Sequence, residues 1–184
     1  MLELSLYLLS LETEAERDKL TLIYTRYLSF MYKVARKYSN HYGNEDDIVH
    51  ESILKIIDNL RKIDLDNEVA SKCYIRTIVK NKARDLWRKE NRVGMCGIEE
   101  VEFALEDESE LPVDSLLTKD GYEQLIRYIG EMSDTYREVC QLRFICGLKE
   151  REIAEALGIT QKNVTARIAR GRRQLIEKIK EGYQ

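Results

Sequence analysis

Apolar residues fall at helical spacing along most of the chain. Leu20, Ile23, Tyr24, Tyr27, Met31, Val34, Ala35 and Tyr38 recur every three or four positions, predicting one long amphipathic helix. Thr13, with Glu16 three residues on, is a capping box at its start. His41-Tyr42-Gly43-Asn44 predicts the break after it. Gly43 ends one helix and Asn44 caps the next, whose first turn sets Glu45, Asp46 and Asp47 against the positive helix end. Ile48, Ile53, Ile56, Ile57 and Leu60 are its expected buried face. A polar stretch, Asp64-Leu65-Asp66-Asn67, precedes a third helix over about Ser71 to Glu90. Tyr74, Ile75, Ile78, Val79 and Leu86 are its candidate core positions.

From Val93 to Asp120 the periodicity dissolves. Two glycines, the single proline Pro112 and the run Glu106-Asp107-Glu108-Ser109-Glu110 read as a linker with little core of its own. Order returns near Gly121, with Leu125, Ile126 and Ile129 on one helix and Tyr136, Val139, Cys140 and Leu142 on the next. The pattern predicts an all-α chain. Two small helical domains, 1–92 and 121–184, are joined by the acidic linker 93–120.

Composition narrows the classes. The apolar stretch Leu4 to Leu11 is broken by serines and falls far short of the ~20 residues of a membrane span. It lacks the basic flank of a signal peptide, so a cytoplasmic protein without membrane insertion is expected. Cys73, Cys96, Cys140 and Cys146 form no CxxC pair and have no nearby histidine, so neither a metal site nor a disulfide framework is expected. Cys140 and Cys146 fit an apolar helical pattern as small buried hydrophobes. No phosphate loop, HExxH or nucleophile motif occurs, which argues against an enzyme and against a cofactor.

Net charge, −3 overall, is unevenly placed. Residues 1–71 carry −4, residues 72–92 +6, residues 93–135 −10 and residues 136–184 +5. Two basic segments therefore flank an acidic one, a layout that suits nucleic-acid binding at both ends despite the acidic total.

The C-terminal segment LKEREIAEALGITQKNVTARIARGRRQLI predicts a helix-turn-helix. Its first helix runs from about Lys149 to Leu157, with Ala154 small where a second helix crosses. Gly158 supplies the left-handed turn and Thr160 caps a second helix burying Val164, Ile168, Gly171 and Leu175. The opposite face carries Lys162, Ala166, Ala169, Arg170 and Arg173, with Asn163 and Arg167 at its edges. Small residues allow close approach to a major groove, where Arg can bond guanine and Asn adenine. In the basic segment 72–92, Arg76, Lys80, Arg84 and Arg88 recur every four residues as a stripe able to track a phosphate backbone. Tyr74 and Trp87 beside it could serve as core or as stacking platforms for unpaired bases.

These two halves together resemble bacterial RNA polymerase sigma factors of the short extracytoplasmic-function type. GNEDDIVHESILKII is similar to their region 2 helix, and YIRTIVKNKARDLWRKENR to the next helix, with Asn81 and Asp85 keeping an N-x-x-x-D spacing. YREVCQLRFICGLKEREIAEALGITQKNVTARIARGRRQL is similar to region 4, most specifically in V-x-x-R-I-x-R-x-R. The resemblance implies a three- or four-helix region 2 domain and a winged-helix-like region 4. It implies that Asp46, Asp47, Glu51, Leu54 and Lys55 contact core polymerase at the clamp helices of the largest subunit, with the flap as a further docking point. Asp66, Asn67, Tyr74, Arg76, Lys80, Asn81, Arg84 and Arg88 would engage the minus-ten element, the loop Asp64 to Ala70 holding a flipped base. Gln161, Lys162, Asn163, Thr165, Ala166, Arg167, Ala169, Arg170 and Arg173 would read the minus-thirty-five element. The acidic linker would thread toward the polymerase's RNA path, and an anti-sigma factor is a further implied partner. Departures are visible. Cys73-Tyr74 replaces a frequent Trp-Leu pair, His50 a common Gln, and Thr165-Ala166 a basic residue and a serine. The competing reading is a stand-alone helix-turn-helix regulator that does not bind core polymerase.

Overall fold

A computed structural model describes residues 2–39, 45–91 and 119–182, with side chains described at 4–38, 45–86 and 120–181. The chain divides into two units, Met1–Cys96 and Gly97–Gln184. Among the described residues all regular structure is helical. The second unit therefore has no strand among its described residues to form the wing that the resemblance implied.

The first unit holds α1 (Leu2–Leu9), α2 (Glu14–Ser39), α3 (Glu45–Ile57) and α4 (Glu68–Asn91), with a single 3₁₀ turn at Leu60–Lys62. The predicted capping box is formed: Thr13 N–H donates to Glu16 Oε2 at 3.3 Å and Glu16 N–H to Thr13 Oγ1 at 3.2 Å. The predicted cap at Asn44 lies outside the described residues. Helix α4 packs on both α2 and α3, so apolar positions are needed nearly all round it. Leu20, Ile23, Met31, Ile48, Ile56, Tyr74, Ile75 and Val79 are buried between these helices. The expected Ile57 and Leu86 are only half-buried. Helix α1, which periodicity did not single out, is held by Tyr7, whose hydroxyl lies 2.6 Å from His50 Nδ1 on α3. Its return to α2 is tied by Arg17, which donates to the Leu11 carbonyl from Nε and Nη2 at 3.2 and 2.9 Å.

The second unit holds α5 (Lys119–Glu131), α6 (Asp134–Cys140), α7 (Glu150–Leu157) and α8 (Gln161–Gly182). Helix α5 opens at Lys119, inside the stretch read as linker; residues 93–118 of that stretch lie outside the described residues. Past Cys140 the chain widens into a π turn, Gln141–Ile145, in which Cys146 N–H bonds the Gln141 carbonyl at 3.0 Å. Cys140 is buried as expected, whereas Cys146 is half-exposed. Leu125, Ile129, Val139, Leu142, Ile153, Leu157, Val164, Ile168, Leu175 and Ile179 form the core.

Candidate nucleic-acid interface

Helix α7 ends where Gly158 takes φ +64°, a left-handed conformation that L side chains resist. Thr160 then accepts from Asn163 N–H at 3.3 Å and opens α8. The four predicted inward positions, Val164, Ile168, Gly171 and Leu175, are all buried. Away from that core Gln161, Lys162, Thr165 and Arg173 are exposed, and Asn163, Ala166, Arg167, Ala169 and Arg170 half-exposed. Thr165 donates its hydroxyl proton toward Glu150 Oε2 on α7, 2.6 Å away, with the Gln161 carbonyl a second acceptor at 3.1 Å. Glu150 had no place among the sequence candidates, because fifteen residues separate it from the threonine it meets.

In the first unit the candidate residues divide. Arg76 is exposed and Lys80 and Arg84 half-exposed on the one edge of α4 that α2 and α3 leave open. Arg88 and Trp87 lie outside the described side chains. Tyr74 is a correction: at 2% exposure it is core, so it cannot stack on a base. A residue at that position of a helix packed on two sides has no open direction. Asn81 is corrected likewise. It is 8% exposed and its Oδ1 accepts from Arg84 Nη2 at 2.8 Å, so it sits within the packed helix and orients that arginine.

The loop before α4 is internally bonded. Asp66 N–H donates to Asp64 Oδ1 at 3.0 Å, Ser71 Oγ to the Asp64 carbonyl, and Ala70 N–H to Asn67 Oδ1 at 3.0 Å. Asn67 thus caps α4, which begins at Glu68, three residues before the predicted start, and Asp66 remains exposed beside it.

Helix α3 shows two opposed faces. Ile48, Val49, Ser52, Ile53 and Ile56 are buried. Asp46, Asp47, His50 and Leu54 are exposed on the other side, with Glu51 and Lys55 half-buried at its margin. Asp46 accepts from the Tyr32 hydroxyl at 2.9 Å, and Glu51 is drawn inward to Lys82 Nζ of α4 at 3.0 Å. A cavity of about 200 Å³ behind this face is lined in part by Tyr7, Tyr32, Asp46 and His50. Among the described residues no group of acidic, cysteine or histidine side chains could hold a metal, and no helix is long and apolar enough to cross a membrane.

A helix-turn-helix with a basic outward face, in a chain whose other helical unit carries a basic edge and an acidic outer face, defines a DNA-binding transcription factor. Residues 23–93 match the family model described as Sigma-70 region 2, and residues 122–175 the one described as Sigma-70, region 4. The chain belongs to the sigma-70 family: it is an RNA polymerase sigma factor with regions 2 and 4, the layout of the extracytoplasmic-function type. The RNA polymerase sigma factor SigV of Bacillus subtilis (strain 168) is 27% identical over 139 residues, 76% of this chain and 78% of its own length. The solved structure of CnrH in complex with the cytosolic domain of CnrY is 22% identical, covers 88% of each chain and overlays with a TM-score of only 0.37. Sigma factors direct promoter-specific initiation together with core RNA polymerase and are not catalysts, so the stand-alone regulator is not the favoured reading.

Proposed function

We propose a division of labour between the two units. The first, residues 1–92, docks on the clamp helices of the polymerase largest subunit through Asp46, Asp47 and Leu54 on the outer face of α3. Glu51 and Lys55 edge that surface. The same unit engages the minus-ten element through Arg76, Lys80, Arg84 and Arg88 on α4, with Asp66 and Asn67 in the loop where an unpaired base is held. The second unit, residues 121–184, reads the minus-thirty-five element with α8 and meets the polymerase flap. The acidic stretch 93–120 between them follows the path of RNA. The protein acts in the cytoplasm, with an anti-sigma factor as a further partner.

The observation that carries this reading is the two-sidedness of α8, with four apolar positions buried and a face of lysine, arginines, alanines and asparagine left outward. That face offers charge for phosphates and short side chains for groove entry. Purified protein mixed with core polymerase should co-elute with it and support transcription from a subset of promoters. Reversing Asp46 and Asp47 to lysine should abolish co-elution. Retained co-elution would remove α3 from the polymerase contact.

A further inference from the structure

A carboxylate that reaches across to the groove face of α8 comes from another helix. Glu150 Oε2 lies 2.6 Å from the Thr165 hydroxyl, and Thr165 stands exposed between Gln161 and Ala169 on that face. Glu150 is half-buried at the first position of α7, so it is held by its own helix and by the threonine at once. We propose that Glu150 and Thr165 form a specificity-determining pair that reads a cytosine in the upstream promoter element. This inference rests on the assignment of α8 to that element.

The argument is one of donors and acceptors. A threonine hydroxyl has a single proton, and at 2.6 Å Glu150 is its nearer acceptor, the Gln161 carbonyl standing at 3.1 Å. With that proton given to Glu150, the outward side of the pair is left with acceptor capacity only. A carboxylate brings about four lone-pair sites and no donor. In the major groove only the amino groups of cytosine and adenine donate, and cytosine matches the pair better because adenine sets its acceptor N7 beside its amino group. Guanine O6 and N7 and thymine O4 are themselves acceptors, and meeting them would set like partial charges together without a bond. Placed against the phosphate backbone the same carboxylate would be repelled, so its position favours a base-facing role. Arg167 and Arg170 on α8 supply the compensating positive charge.

The test is promoter selection with reconstituted holoenzyme. Core polymerase carrying the wild-type chain is incubated with a DNA library randomised across the upstream element, and the retained DNA is sequenced. The wild type should enrich cytosine at one position on the order of tenfold. Glu150→Gln introduces an amide donor and should shift that position toward adenine, with the other positions unchanged. Thr165→Val, which frees Glu150 from its tether, should flatten the same position. Identical base preferences for wild type and Glu150→Gln, or a uniform loss at every position, would overturn the pairing. Co-elution of each variant with core polymerase and its melting temperature separate a folding defect from a change of preference. Should Glu150→Gln unfold, Glu150→Ala answers the same question. A wild-type holoenzyme that enriches no upstream sequence overturns the placement of α8 on that element, and this inference with it.

Discussion

Gly171 of α8 lies so close to Cys140 of α6 that a methyl group on the glycine would overlap the cysteine Sγ. The contact fixes how α8 crosses the helix before the helix-turn-helix, and thereby where the groove face stands. Alanine at 171 would gain about 1 kcal/mol of helix propensity. Against this, overpacking a buried contact costs about 1–3 kcal/mol. Gly171→Ala should therefore destabilise the second unit in urea melts. Adding Cys140→Ala removes the Sγ and should restore most of the loss. A double variant no more stable than Gly171→Ala would locate the clash elsewhere.

Cys140 also makes alkaline pH a probe of this core. Burial raises its thiol pKa from 9.0 to about 12, with nearby Arg172 opposing weakly. In the unfolded chain the thiol ionises near 9.0, while in the folded chain it stays protonated. Its contribution to stability is thus fully present below pH 9 and is lost progressively as pH rises toward 12. Melting curves from pH 8 upward should fall more steeply for the wild type than for Cys140→Ala. Native protein at pH 8.5 should leave Cys140 unlabelled by iodoacetamide, and parallel slopes with ready labelling would contradict this burial.

How much of this was legible in the sequence follows from how far apart the interacting groups lie. The faces of α8 could be read because both are written at helical spacing within one segment, Val164 to Leu175. The Thr13–Glu16 cap and the Gly158 turn are local for the same reason. Helix α1 could not be read that way: its anchor pairs Tyr7 with a histidine 43 residues on, and Leu6 and Leu9 remain exposed. The π turn at Gln141–Ile145 leaves no period of its own in the apolar pattern. Tyr74 satisfied the spacing for core and for base stacking alike. Only the packing of α4 against both α2 and α3 decided between them.

The Tyr7–His50 bond predicts that α1 is a separable part of the first unit. The bond is half-buried, and α1 contributes only Tyr7 to the described core within its own span. Tyr7→Phe keeps the ring and removes the hydroxyl, which should cost about 0.5–1.5 kcal/mol. Most of that loss should appear locally, as faster hydrogen exchange in Leu4–Leu9 with little change in α2 to α4. Uniform acceleration through α4 would mean that α1 is cooperative with the rest.

Salt dependence should distinguish the two basic surfaces. Arg76 sits on an exposed edge suited to phosphates, where each contact displaces counterions irrespective of sequence. Arg76→Ala should reduce the magnitude of the log affinity against log salt slope by about 0.9 when holoenzyme binds duplex promoter DNA. It should do so equally on strong and weak promoters. Arg170 stands among Ala166, Ala169 and Arg173, where a guanidinium can reach a base edge. Arg170→Ala should cost about 1–3 kcal/mol on a matched upstream element and much less on a mismatched one. Discrimination between promoters is then lost together with affinity. Titrations of both variants at several salt concentrations, on matched and mismatched promoters, provide the check. If Arg170→Ala weakens both promoters equally, its contact is with phosphate, and base reading on α8 falls to Asn163, Arg167 and the Glu150–Thr165 pair.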